Sequence, residues 1–136
     1  MTARHADLAA LRESETARML AACSQCGACV EACPMVPYVP ALQDADRPAV
    51  VRGVLEVLTG GEGDAASRAW IASCTRTGSC NAACPEAVNP QLMIRLATWR
   101  ASETGLLPQR DTSIVMSRVK VFARLGFTED EQRDWL

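Results

Sequence analysis

The sequence has little of what most enzymes are built from. Aromatic residues make up only 4% of it, so few large side chains are available to fill a core. His5 is the single histidine, which leaves almost no general acid–base chemistry near neutral pH; its place near the N-terminus speaks against a role. No G-x-G-x-x-G, P-loop or G-x-S-x-G occurs, so neither a nucleotide or flavin cradle nor a serine nucleophile is expected. No stretch approaches the roughly 18 to 20 apolar residues needed to span a bilayer. The start of the chain, Met1 to Leu11, alternates charged with small apolar residues and lacks the apolar run of a signal peptide. Neither sign of charge dominates: 14 basic and 16 acidic residues give a net −2, with nothing to attract nucleic acid or anionic lipid. The expected setting is a reducing cytoplasm, with any hold on a membrane supplied by a partner.

What the sequence does have is cysteine, in a pattern. Four of the seven read C-x2-C-x2-C-x3-C-P: Cys23, Cys26, Cys29 and Cys33, then Pro34. An incomplete copy follows 51 positions on, C-x5-C-x3-C-P: Cys74, Cys80 and Cys84, then Pro85, with Thr77 where the second cysteine of a full copy would stand. An odd count argues against a disulfide framework, and a thioredoxin-like C-x-x-C needs a βαβ context that is absent. Structural zinc is the serious competitor, but zinc usually takes two separated pairs of ligands. Cysteines at every third residue, with a fourth before proline, instead wind the chain around a cube-shaped iron–sulfur cluster, and in this run the fourth cysteine ligates the other cluster.

Exchanging the fourth ligands gives a definite expectation. Cys23, Cys26, Cys29 and Cys84 would hold a 4Fe–4S cluster. Cys33, Cys74 and Cys80 would hold a second cluster with one corner vacant, facing Thr77. A threonine hydroxyl stays protonated near neutral pH and is a poor iron ligand, so that cluster is expected to be 3Fe–4S. The alternative is a second 4Fe–4S cluster completed by a non-cysteine ligand.

Around the cysteines every periodic stretch has helical spacing, and no convincing strand pattern occurs. Residues 7–22 read as a packing helix with Leu8, Leu11, Met19 and Leu20 near one face. Pro34, Pro37 and Pro40 are expected to stop regular structure and extend the chain. Asp46 and Pro48 open a helix through Leu58, Asp64 caps one from Ala65 to about Ser73, and Asn89-Pro90 starts one that runs to about Glu103, before Gly105 and Pro108. A stripe of Ile114, Val115, Val119, Phe122 and Leu125 marks a helix over about 112–125; packing on the domain's own core is the expectation. Thr128-x-x-Glu131 is a capping box for a last short helix ending at Trp135-Leu136. The fold class expected is all-α, one domain over residues 1–136, with a cluster-binding part at about 19–104 and a helical extension at 105–136.

The two motifs, and the segment Cys84-Pro85-Glu86-Ala87-Val88-Asn89-Pro90, resemble the C-terminal helical-ferredoxin domain of the iron–sulfur subunit of succinate dehydrogenase and fumarate reductase, over roughly residues 19–104. The resemblance implies an alpha-helical ferredoxin with two iron–sulfur clusters, 4Fe–4S and 3Fe–4S. Tyr38 occupies the place of an aromatic that stands next to the quinone in that family, five residues after the fourth cysteine, which implies a candidate quinone-proximal role. Thr75 stands where a histidine is familiar. No plant-type ferredoxin domain precedes the motifs, so the 2Fe–2S centre of the family is not expected. The short chain is equally similar to the small C subunit of heterodisulfide reductase and its relatives. Thr77 departs from their usually complete second motif, and the C-C-G sequences of their partners are absent here.

Three readings follow. The favoured one is a non-catalytic electron-transfer subunit working between partner subunits of an oxidoreductase, such as a flavoprotein, a disulfide-reducing subunit or a quinone-linked subunit. The second is an independent soluble ferredoxin-type carrier. The third, of a different class, is a redox-sensing interaction protein. An exposed stripe on the 112–125 helix would favour a lasting interface, and a covered stripe a free carrier.

Overall fold

A computed structural model describes residues 7–108 and 111–133; His5, Trp135 and Leu136 lie outside them. Nine α-helices and one 3₁₀ turn form among the described residues, and no strand. In chain order the helices are α1 (Leu8–Ala22), α2 (Ala28–Glu31), α3 (Pro40–Gln43), α4 (Arg47–Leu58), α5 (Ala65–Ser73), α6 (Ser79–Ala83), α7 (Pro90–Glu103), α8 (Thr112–Gly126) and α9 (Glu129–Arg133). The all-helical fold agrees with the periodicity.

Local chemistry sets most boundaries. Asp46 accepts the Ala49 N–H at 2.9 Å and starts α4. Asp64 takes the Ser67 N–H at 2.7 Å while Ser67 Oγ receives the Asp64 N–H at 2.9 Å, a reciprocal cap that starts α5. Asn89 takes the Leu92 N–H at 3.0 Å, with Pro90 as the first residue of α7. Thr128 and Glu131 make the corresponding box before α9, with the Thr128 N–H on Glu131 at 2.8 Å.

The core is a valine-rich layer around α4. Val50, Val51, Val54 and Val57 are fully buried against α5 and α7. Trp70 and Ile71 of α5 and Met93, Ile94 and Ala97 of α7 complete it. Among the described residues Trp70 is the one aromatic fully inside. Trp99 lies at the edge, with the Arg12 guanidinium 5.0 Å above its ring, a cation–π contact that joins α1 to α7. Arg12 also pairs with Glu103 at 2.8 Å.

Three expectations are corrected. The prolines do not give an extended stretch: Val36–Tyr38 forms a 3₁₀ turn and Pro40 begins α3, because proline's missing N–H costs nothing at a first helical position. On α1 only Met19 is buried, while Leu8, Leu11 and Leu20 are exposed. Most plainly, the stripe on α8 does not pack on the domain. Among the described residues the main contact of this helix is with α9, and of its side chains only Ala123 is buried. Phe122 and Leu125 stand 74% and 81% exposed. A 3.6-residue period shows that a helix has an apolar face, not what covers it.

Candidate metal centre

The cysteines sit on two copies of one substructure. In each, a helix stops at a cysteine in extended backbone: Cys23 (φ −73°, ψ 116°) after α1, and Cys74 (φ −62°, ψ 117°) after α5. Two residues on, the chain turns through the left-handed region, at Gln25 (φ 59°) and Arg76 (φ 61°). It turns again at Gly27 (φ 83°, ψ −2°) and Gly78 (φ 79°, ψ −1°), which start α2 and α6. The second loop therefore keeps the shape of the first although Thr77 replaces a cysteine. Cys26 and Thr77, at matching places, are both exposed. The Thr77 hydroxyl lies 3.2 Å from the Ser79 hydroxyl and within 3.4 Å of the Ser79 N–H.

Packing of α2 against α6 sets the two loops face to face, and their last cysteines cross over. Cys23, Cys26, Cys29 and Cys84 line one hollow, backed by Val51, Val88 and Met93. Cys33, Cys74 and Cys80 line the other, with Trp70, Ile94 and Thr77. The hollows, including their open mouths, measure about 320 and 330 Å³, so the one with fewer thiols is no smaller.

Electrostatics divide the thiols the same way. Burial pushes the Cys29 thiol up to about 12, and the charges of Cys23 and Cys84 push in the same direction. Burial raises Cys23 as well, with Cys84 and Cys26 adding. Cys80 is raised by burial and then by Cys74 and Cys33. Half-buried thiols crowded like this ionise together only if positive charge is supplied between them, as a metal centre does. Among the described residues, no three His, Cys, Asp or Glu side chains converge closely enough for a single ion. Cysteines at every third residue, divided four and three between two facing hollows, fit clusters better than the two separated ligand pairs that zinc usually takes.

Several supports were not visible in the sequence. The Val88 N–H points at Cys84 Sγ, 3.4 Å away. Asn81 Oδ1 of α6 takes the Gln91 N–H of α7 at 2.9 Å, and Gln91 Nε2 donates to the Arg76 carbonyl at 3.0 Å, which braces the second loop. Arg47 pairs with Glu31 at 2.8 Å and ties α2 to α4. Apart from Val88 and Cys84, these partners lie ten or more residues apart, beyond any local pattern. Thr75 lines the second hollow. Tyr38 lies in the 3₁₀ turn, 78% exposed, and lines neither hollow.

Residues 22–89 match the family described as the 4Fe-4S dicluster domain. The match takes in 68 of the 136 residues and all seven cysteines, and the chain belongs to that family. It is an iron–sulfur, ferredoxin-like protein, and its cysteines support a 4Fe–4S cluster. No curated protein and no solved structure matches the chain. Two four-iron clusters with cysteine at every corner take one thiolate more than this chain has, and Thr77 marks the difference. No described helix is long and apolar enough to cross a membrane.

Proposed function

We infer that the chain is an electron-transfer subunit with two clusters, acting between other subunits of an oxidoreductase. The single observation behind this reading is the division of seven thiols into a group of four and a group of three across two equivalent loops. Cys23, Cys26, Cys29 and Cys84 would hold a 4Fe–4S cluster, and Cys33, Cys74 and Cys80 a 3Fe–4S cluster with its open corner toward Thr77. Bound clusters supply one-electron oxidation and reduction over a range of about −700 to +450 mV. The chain's own part is to place, shield and bias them. Cys33 and Cys84 each cross to the opposite loop, so the two sites are held as near neighbours. Val51, Val88 and Met93 keep water from one side of the first site; Trp70 and Ile94 do the same at the second.

The uncovered face of α8 supports a lasting subunit over a free carrier. Arg118, Lys120 and Arg124 are the only charges on α8, and none forms an ion pair among the described residues. The partner surface this face fits is apolar with an acidic rim. The partner would be a flavoprotein, a disulfide-reducing or a quinone-linked subunit, in the manner of the succinate dehydrogenase or heterodisulfide reductase C-like proteins. The test is a reductive titration of anaerobically prepared protein. The reading requires uptake of about two electrons per chain, one for each cluster. Protein that carries zinc, or takes up no electrons, would refute it.

A further inference from the structure

The loop between Cys84 and α7 holds a backbone shape that needs an outside hold. Ala87 (φ 51°) and Asn89 (φ 65°) are both in the left-handed region, which L side chains disfavour. Between them Val88 is buried, and its N–H lies on Cys84 Sγ at 3.4 Å. One hold comes from α7, where Asn89 caps the helix. The other comes from α1: Arg18 Nη2 donates to the Val88 carbonyl at 3.2 Å, across 70 residues of sequence. Glu15 aims that guanidinium, with Oε2 accepting from Nη2 at 2.7 Å and from Nε at 3.1 Å. Five residues beyond Arg18 the helix ends at Cys23, which lines the same hollow as Cys84. Arg18 thus links two segments that bring thiols to one site.

We propose that Arg18 is a positioning residue for the cluster bound through Cys84: by fixing Val88 it keeps the Val88 N–H on the Cys84 sulfur and so holds the reduction potential up. The proposal rests on the reading above that Cys84 is a ligand of the four-iron cluster. Reduction adds one negative charge to the site. A backbone N–H aimed at a ligand sulfur stabilises that charge, so its loss makes reduction harder. Without Arg18 the Val88 carbonyl loses its side-chain donor, and the strained turn keeps only the hydrogen bonds at Asn89 and Cys84 among the described residues, so the Val88 N–H is held on sulfur less firmly.

The test uses the full chain with its clusters, prepared anaerobically, as wild type, Arg18→Met, Arg18→Lys and Glu15→Gln. Dithionite titration followed by electron paramagnetic resonance reads the potential of each cluster, and hydrogen–deuterium exchange reads the peptide containing Val88. Arg18→Met is expected to lower the four-iron potential, leave the three-iron potential in place and speed exchange at Val88. Arg18→Lys, with one ammonium donor in place of the fork, should give intermediate values. Glu15→Gln keeps the donor on Val88 and removes a negative charge, so it should not lower the potential. Wild-type potential and exchange in Arg18→Met would overturn the proposal, as would equal shifts in both clusters, which would mark a general field effect. If Arg18→Met loses its iron, Arg18→Lys decides on the same readings: intermediate lowering supports the proposal and wild-type values overturn it. Wild-type protein without iron–sulfur clusters would refute the ligand assignment itself, a failure distinct from unchanged potentials in cluster-loaded protein.

Discussion

Gly27 and Gly78 occupy the same place in the two loops with nearly the same backbone, φ 83° and 79°, but they have different neighbours. A Cβ on Gly78 would meet nothing within 4 Å, whereas one on Gly27 would lie 2.6 Å from Arg47 Cβ and 2.9 Å from both the Arg47 carbonyl carbon and the Pro48 nitrogen. Those last two are backbone atoms at the start of α4 and cannot swing aside. Alanine in the left-handed region costs about 1–2 kcal/mol, and this is all that Gly78→Ala should lose. Gly27→Ala carries the same cost plus overpacking of about 1–3 kcal/mol, a total of roughly 2–5 kcal/mol. At about 4 °C per kcal/mol for a domain of this size, the anaerobic melting midpoint should fall by about 4–8 °C for Gly78→Ala and about 8–20 °C for Gly27→Ala. Because metal loss accompanies unfolding, iron release to a chelator should be followed as well. Gly27→Ala pushes α2 from α4 and loosens Cys29, so it should speed iron loss from the first site while the second keeps its signal. Equal losses in the two variants, or a milder effect at Gly27, would refute the reasoning.

Further predictions follow from single features. Thr77→Cys places a thiol in a loop already shaped like the first, and should raise the iron content from about seven to about eight per chain, with loss of the oxidised-state paramagnetic signal. Asp64→Ala removes the reciprocal cap of α5 and should cost about 1 kcal/mol at pH 7. Burial pushes the Asp64 carboxyl up, but hydrogen bonds from Ser67 and the Arg68 charge outweigh it and hold it below its usual 3.8. The cap's contribution is therefore full above that value and fades as pH falls through the lower folded value, so wild type and variant should converge in acid. The double variant Phe122→Ser with Leu125→Ser removes exposed apolar surface from α8; it should leave iron content and melting unchanged but abolish co-purification with the proposed partner subunit.

How much was legible in the sequence depended on how local the cause was. Asp46, Asp64 and Asn89 cap helices three residues away or less, and that chemistry is written in the chain. The crossing of Cys33 and Cys84 was expected from the ferredoxin run, whose fourth cysteine serves the other cluster, and each of the two lines the hollow opposite its own loop. The left-handed turns at Gln25 and Arg76 were not readable, since neither is glycine and L side chains disfavour that region. Arg18 on Val88 and Gln91 on Arg76 were hidden because nothing near either residue names its partner. The stripe on α8 was visible as amphipathicity, but its exposure was not: a period cannot report whether the facing surface belongs to the same chain. Leu8, Leu11 and Leu20 misled for the same reason.

The central claim is that seven thiols hold one four-iron and one three-iron cluster. It is tested most directly by iron and sulfide analysis of anaerobically purified protein, together with electron paramagnetic resonance in the oxidised state. A three-iron cluster is paramagnetic when oxidised and an ordinary four-iron cluster is silent. The account predicts about seven irons per chain and an oxidised-state signal. About eight irons with silence until reduction would contradict it and place a non-cysteine ligand at the corner facing Thr77.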